Sequence, residues 1–228
     1  MSAAVDIVFL VDVDNTLLDN DRIQADLRRR LTQEFGAAAR DRYWAILEEL
    51  FLELGYRDYL GALQRYRVEH PSDPHLLELS SYLVDYPFAN RLYPGALDAL
   101  EHLAAFGATV VLSDGDVVFQ PRKVERSGIA EAVEGRVLIY VHKEEMLDDV
   151  ERRFPARHYV LIDDKLRILA AVKKVWGPRV TTVFVSQGFY AHDPATLAAH
   201  PPADRSFARI GELADCSLTD LIHPEVTP

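Results

Sequence analysis

Residues 5–18 read VDIVFLVDVDNTLL, a nearly unbroken apolar run that ends on two aspartates, Asp12 and Asp14, two positions apart. Such density of Val, Ile, Leu and Phe is the pattern of a strand covered on both faces, the situation of parallel sheets. In open parallel sheets, ligands bind beyond the carboxyl ends of the strands. Asp12 and Asp14 therefore fall where such a fold does its chemistry, and Thr16 follows in the turn. An Asp- and Asn-rich turn is also ordinary chain-reversal chemistry, because these side chains bond to nearby backbone. The rest of the chain must separate the two readings.

From Asp19 to Leu92 no strand pattern occurs. Ile23, Leu27, Leu31 and Phe35 recur at helical spacing as far as Gly36. A second series runs through Tyr43, Trp44, Leu47, Leu50, Phe51 and Leu54 to Gly55. A third covers Tyr59 to Val68 and breaks at His70-Pro71; a fourth follows Pro74. Glycine and proline at these points are helix stops, so four helices in succession are expected, as in a small inserted bundle. The segment has many arginines and no lysine. Arg42 and Arg57, with Tyr43, Tyr56 and Tyr59 nearby, are its pocket candidates, since arginine forks and aromatic walls suit substrate pockets. The same residues serve equally as a solvated helix surface and a helix core.

After Tyr93-Pro94-Gly95 the pattern changes to strand–helix alternation. A helix over Ala96–Ala105 precedes a strand over Ala108–Leu112 that leads into Ser113-Asp114-Gly115. Pro121 can open the next helix, which runs to Gly128. Strand Val137–Val141 leads to His142-Lys143, followed by a helix through Met146 and Val150. Strand Tyr159–Ile162 ends at Asp163-Asp164, helix Leu166–Trp176 and strand Val180–Val185 follow, and the tail from Pro194 suits one or two short helices. Alternation of this kind predicts an α/β fold with a Rossmann-like parallel sheet and right-handed crossovers.

Asp12-x-Asp14-x-Thr16, Ser113-Asp114-Gly115, Lys143 and Asp163-Asp164 occur in this order, each after a strand pattern. Together they resemble the four motifs of the haloacid dehalogenase superfamily, over essentially the whole chain. The resemblance implies a core of residues 1–18 and 93–228 with an all-helical cap domain, 19–92, inserted between motifs one and two. It implies Mg²⁺-dependent hydrolysis of a small phosphate monoester through an aspartyl-phosphate. By resemblance Asp12 is the nucleophile, Asp14 the proton donor and then the base, and Lys143 a charge partner of Asp12. Thr16, Ser113, Asp114 and Gly115 would surround the phosphoryl group, the Ser113 hydroxyl and the amides after it holding its oxygens. Asp12, Asp163, Asp164 and the Asp14 carbonyl would hold the metal.

Physical chemistry requires these types together. A carboxylate attacking a phosphate dianion must overcome the repulsion of two anions, and three clustered acids need a cation. Mg²⁺ takes oxygen ligands, typically one or two carboxylates plus substrate phosphate. An acid two residues beyond the nucleophile suits a leaving alkoxide, which needs a proton; the dehalogenases of the superfamily lack it, because a halide needs none. One departure concerns Ile168, which stands where many members carry a further acid. Asp163 then supplies that charge, and the division of labour between Asp163 and Asp164 stays open. Two alternatives stay open: Asp116 could join the site, though a solvated turn is expected, and Lys123 could take the role given to Lys143, though it is expected on the surface of a helix. Phosphotransfer, as in a sugar-phosphate mutase, and a non-catalytic protein retaining the fold are the alternatives.

Composition narrows the partners. A net charge of −11 over 228 residues disfavours nucleic acid and anionic membranes, leaving a small phosphate ester as the expected partner. Cys216 is the sole cysteine, so no disulfide forms within the chain, as in a reducing cytosol. No basic segment followed by an apolar run begins the sequence, and a cytoplasmic location is expected. The eight histidines lack zinc-ligand spacing, and no phosphate-binding Gly-rich loop is present. The oligomeric state has no signature in the sequence.

Overall fold

The computed structural model describes residues 5–222; positions 1–4 and 223–228 of the expected core lie outside the described residues. Strand β1 (Val5–Val11) is followed by three helices, α1 (Asn20–Leu54), α2 (Tyr59–Glu69) and α3 (Leu76–Val84), with no strand among them. Helix α1 contains two of the four expected helices. They meet at Gly36, whose φ of 84° and ψ of 170° break the helical path in a region that residues bearing a Cβ avoid. Asp19 caps α1 through the Arg22 amide at 2.8 Å, and Asp58 caps α2 through the Gly61 amide at 2.7 Å. The helices bury their own apolar cluster, including Ile23, Leu27, Tyr43, Leu47 and Tyr66, to which Phe119 of the sheet domain is added.

The entry and exit of this helical insertion run side by side. Asp19 N donates to Arg91 O at 2.8 Å, and Tyr93 N donates to Leu17 O at 2.9 Å. Asp26, on the buried face of α1, locks the exit: it accepts from Tyr86 Oη and from Arg91 Nη2, each at 2.5 Å.

The remaining elements are α4 (Ala96–Ala104), β2 (Ala108–Asp114), α5 (Phe119–Arg126), α6 (Ile129–Ala132), β3 (Val137–Tyr140), α7 (Leu147–Arg153), β4 (Ala156–Asp163), α8 (Leu166–Trp176), β5 (Val180–Val185), α9 (Pro194–Ala198), β6 (Arg205–Phe207) and α10 (Leu218–Leu221). All pairings are parallel and the strand order is β3-β2-β1-β4-β5-β6. Alternate residues of β1 enter different layers. Ile7, Phe9 and Val11 pack with Leu100 and Leu103 of α4, whereas Val8 and Leu10 pack with Leu169 and Val172 of α8. Covering both faces explains why the strand reads as continuously apolar.

The structure differs from expectation at three places. Strand β6 was not anticipated: it is three residues long, and its sequence, Arg-Ser-Phe, has little strand signature. The expected helix from Pro121 starts earlier, at Phe119, because Asp116 Oδ1 accepts from the amides of Val118 and Phe119 at 2.8 and 2.6 Å. Asp116 is thus buried as a helix-starting acceptor, not solvated. No helix of the described residues is long and apolar enough to cross a membrane.

Candidate active site

Strands β2, β1 and β4 are neighbours, and their carboxyl ends deliver Ser113, Asp12 and Asp163 to one place. The Asp12 amide donates to Ile162 O at 3.0 Å, which sets the end of β1 against the end of β4. Ligand atoms of Asp12, Asp163 and Asp164 lie within 4.8 Å of one another, and all three residues are buried.

Lys143 begins a 3₁₀ turn after β3 and is completely buried. Its Nζ lies 2.5 Å from Asp12 Oδ1, 2.6 Å from Asp163 Oδ2 and 3.2 Å from the Leu112 carbonyl. Burial opposes the ammonium charge, but the carboxylates of Asp12, Asp163 and Asp114 outweigh it and raise the pKa, so the group stays cationic. Lys165, half-buried beside them, is desolvated, but Asp164, Asp12 and Asp163 outweigh this and raise its pKa, so it is held charged.

Asp164 differs from its neighbours. Both of its carboxylate oxygens are buried without a hydrogen-bond partner. Desolvation pushes its pKa well above the ordinary value; Lys165 opposes this, and the charges of Asp163 and Asp12 add to it. Two unsatisfied oxygens beside two further acids are the donor set of a hard divalent cation, and an unpaired buried carboxylate is otherwise costly. The residues therefore fit a metal. Asp163 is already engaged, since its Oδ1 accepts the Lys165 amide at 2.8 Å and its Oδ2 faces Lys143.

Around this cluster, Thr16 Oγ1 donates to Asp12 Oδ2 at 3.3 Å. Ser113 Oγ accepts from Gln120 Nε2 at 2.9 Å. Asp114 accepts the Lys143 amide at 2.7 Å, which fixes the turn carrying that lysine. Gly115 corrects an expectation: its amide donates to Tyr140 O at 2.9 Å, so it is occupied and does not face a phosphoryl oxygen. What Gly115 contributes is space, because a Cβ there would lie 2.6 Å from the Cβ of Gln120, which holds Ser113.

Lys123 overturns its expected surface position. Its side chain is 1% exposed, and Nζ lies 2.6 Å from Asp14 Oδ1 and 3.1 Å from Asn20 Oδ1. Gln120 and Lys123 are three residues apart on α5 and share its site-facing side; that spacing is visible in the sequence. Asn20 and Gln187 had no such signal. Gln187 Nε2 donates to Thr16 O at 3.1 Å while its Oε1 accepts the Ile210 amide at 2.7 Å, tying the loop after β5 to the first motif.

The two arginine candidates separate. Arg42 does not join the cluster: its guanidinium is clamped by Glu69 and by Glu49 at 2.9 Å on the exposed side of the helices. Arg57 is more buried, pairs with Glu48 at 2.5 Å and lies within electrostatic reach of Tyr59 and Tyr190. Tyr59 in turn lies within electrostatic reach of Asp14, and burial, first of all, raises its pKa. The turn between α1 and α2 abuts the site: Gly55, at φ 81°, lies so close to His142 that a Cβ would approach the imidazole Cε1 to 2.3 Å.

A parallel sheet with buried acids at two adjacent strand ends, the buried Lys143 between them and a helical insertion after the first strand defines an α/β protein whose site lies at the carboxyl edge of the sheet. The model of the haloacid dehalogenase-like hydrolases matches residues 8–175, and the chain belongs to that family. A crystal structure of a protein from Burkholderia xenovorans LB400, assigned to the haloacid dehalogenase-like hydrolases, is 65% identical, with 93% of this chain and 99% of that one covered and a TM-score of 0.89. The fold also matches the HAD-hydrolase YfnB of Bacillus subtilis bound to magnesium, at 18% identity, 92% and 97% coverage and a TM-score of 0.59. It matches the L-2-haloacid dehalogenase of Xanthobacter autotrophicus at 15% identity, 92% and 97% coverage and a TM-score of 0.62. No curated protein matches the sequence.

Proposed function

We propose that the chain is a Mg²⁺-dependent phosphatase acting on a small phosphate monoester. Asp12 attacks phosphorus, the ester P–O bond breaks, and Asp14 gives its proton to the leaving alkoxide. Water then attacks the aspartyl-phosphate on Asp12 while Asp14, now a carboxylate, takes a proton from it; phosphate leaves and both groups are regenerated. Lys143 offsets the charge on Asp12 and restrains its side chain. Thr16 and Ser113 orient the phosphoryl oxygens. A Mg²⁺ held by Asp12, Asp163, Asp164 and the Asp14 carbonyl neutralises phosphoryl charge when bound.

Asp14 is the observation that carries this reading. It stands two residues beyond Asp12, and its side chain, 25% exposed, is open to a ligand where the other acids are buried. A halide leaves without a proton, so a dehalogenase has no use for an acid there. The experiment is incubation with a panel of phosphate monoesters and with L-2-chloropropionate, each with Mg²⁺. Phosphate release without halide release is expected. Halide release, or an isomerised sugar phosphate as the main product, overturns the reading.

A further inference from the structure

We propose that Lys123 is the positioning residue for Asp14, holding its carboxylate in the one orientation that serves the leaving group. The proposal rests on the acid–base reading of Asp14. Lys123 reaches the site from α5, and its ammonium lies among residues of two other elements and a ring of its own helix. Asp14 Oδ1 follows β1 at 2.6 Å, Asn20 Oδ1 opens α1 at 3.1 Å, and the Phe119 ring lies 5.3 Å away. Asp14 is its ion-pair partner among the described residues. A buried ammonium with a single anionic partner has little freedom, because leaving that partner exposes an uncompensated charge. The constraint is mutual, so the partly exposed Asp14 side chain loses the rotamer choice it would otherwise have. With Oδ1 taken by Lys123, Oδ2 is the oxygen assigned to the leaving group. The two lysines thus divide the two aspartates of the first motif: Lys143 serves Asp12, and Lys123 serves Asp14. Asn20 is itself fixed, its amide donating to Asn15 Oδ1 at 3.0 Å, so the anchor joins the first motif to the start of the helical insertion.

The test compares kcat/KM with Mg²⁺ for phosphate monoesters whose leaving groups range from 4-nitrophenol to a simple alkanol. The proteins are wild type, Lys123→Met, Lys123→Arg, Asp14→Asn and the double variant. Lys123→Met is expected to lose less than about tenfold on 4-nitrophenyl phosphate but about 100-fold or more on the alkyl ester, the pattern of a misplaced general acid. Asp14→Asn should show the same slope, Lys123→Met should add less than about twofold to it, and Lys123→Arg should recover part of the loss on the alkyl ester. Thermal melting of the metal-free proteins should also show non-additive effects of the two substitutions. If Lys123→Met unfolds the protein, Lys123→Ser, which leaves room for water beside Asp14 and Asn20 but no longer reaches them, takes its place in the series. An equal loss on every leaving group, or losses that multiply in the double variant, overturns the proposal. An Asp14→Asn variant without leaving-group dependence overturns the reading of Asp14 itself, and the proposal with it.

Discussion

The Lys143 ammonium stands 2.5 Å from the Asp12 carboxylate, and neither group is exposed to solvent. Three acids converge there, and the Lys143 ammonium is the positive charge set between Asp12 and Asp163. Removing one partner of a buried pair leaves the others uncompensated, at a cost of about 3–5 kcal/mol. Lys143→Met should therefore lower the metal-free melting temperature markedly, and Mg²⁺ should recover part of the loss by supplying the missing charge. Asp12→Asn, by contrast, should stay folded and lose about 10³-fold or more in turnover, because no nucleophile remains. Calorimetry and a phosphate-release assay check both; an Asp12→Asn variant with near-normal turnover removes Asp12 from the chemistry.

Asp164 should behave in the opposite way to Lys143. Its two buried oxygens lack hydrogen-bond partners, so without metal the carboxylate is a source of instability. Asp164→Asn should melt at the wild-type temperature or above it in EDTA. In Mg²⁺ the order should reverse, since wild type gains about 2.7 kcal/mol when the ion is at 100 times its dissociation constant. Equal stabilisation of both proteins by Mg²⁺ would place the ion elsewhere.

Asp26 makes a prediction about acid stability. Burial raises its pKa, but hydrogen bonds from Tyr86 and Arg91 and the charges of Arg91 and Arg29 outweigh this and hold it below the ordinary value. A lowered folded pKa means that the contribution is complete above the unfolded pKa, about 4, and is lost as pH falls through the folded value. Asp26→Asn should cost about 2 kcal/mol at pH 7 through the lost charged hydrogen bonds, and the difference from wild type should shrink below pH 4. A difference that is flat from pH 7 to pH 3 contradicts the linkage.

Specificity should follow Arg57 and not Arg42. Arg42 is committed to Glu49 and Glu69 on an exposed surface, where such pairs are worth little. Arg42→Ala should leave the ranking of phosphate esters unchanged. Arg57→Ala, beside the Gly55–Asp58 turn that meets His142, should change that ranking while altering 4-nitrophenyl phosphate hydrolysis by less than about threefold. Comparing kcat/KM across the ester panel decides between them.

The sheet and most of its site could be read directly from the chain because both signals are local. A strand covered on both faces is apolar at every position, as Val8, Phe9, Leu10 and Val11 are, and a site at strand ends places its acids directly after such runs. Asp12 and Lys143 follow a strand, and Ser113 and Asp163 stand at the end of one, for that reason. Strand β6 escaped because three residues of an edge strand, stabilised by pairing with β5, need no hydrophobic pattern of their own. The partners of the site escaped for a different reason. A lysine on a helix looks solvated in sequence, and only the packing of α5 against Asp14 and Asn20 buries Lys123. Likewise, Gly115 lost its expected role when the Tyr140 carbonyl took its amide, and Arg42 lost its own to Glu69, 27 residues away. Residue type and local period determined the strands and the acids at their ends. Which charge met which was decided by long-range packing, since desolvation makes a buried ion depend on the partner that the fold brings to it.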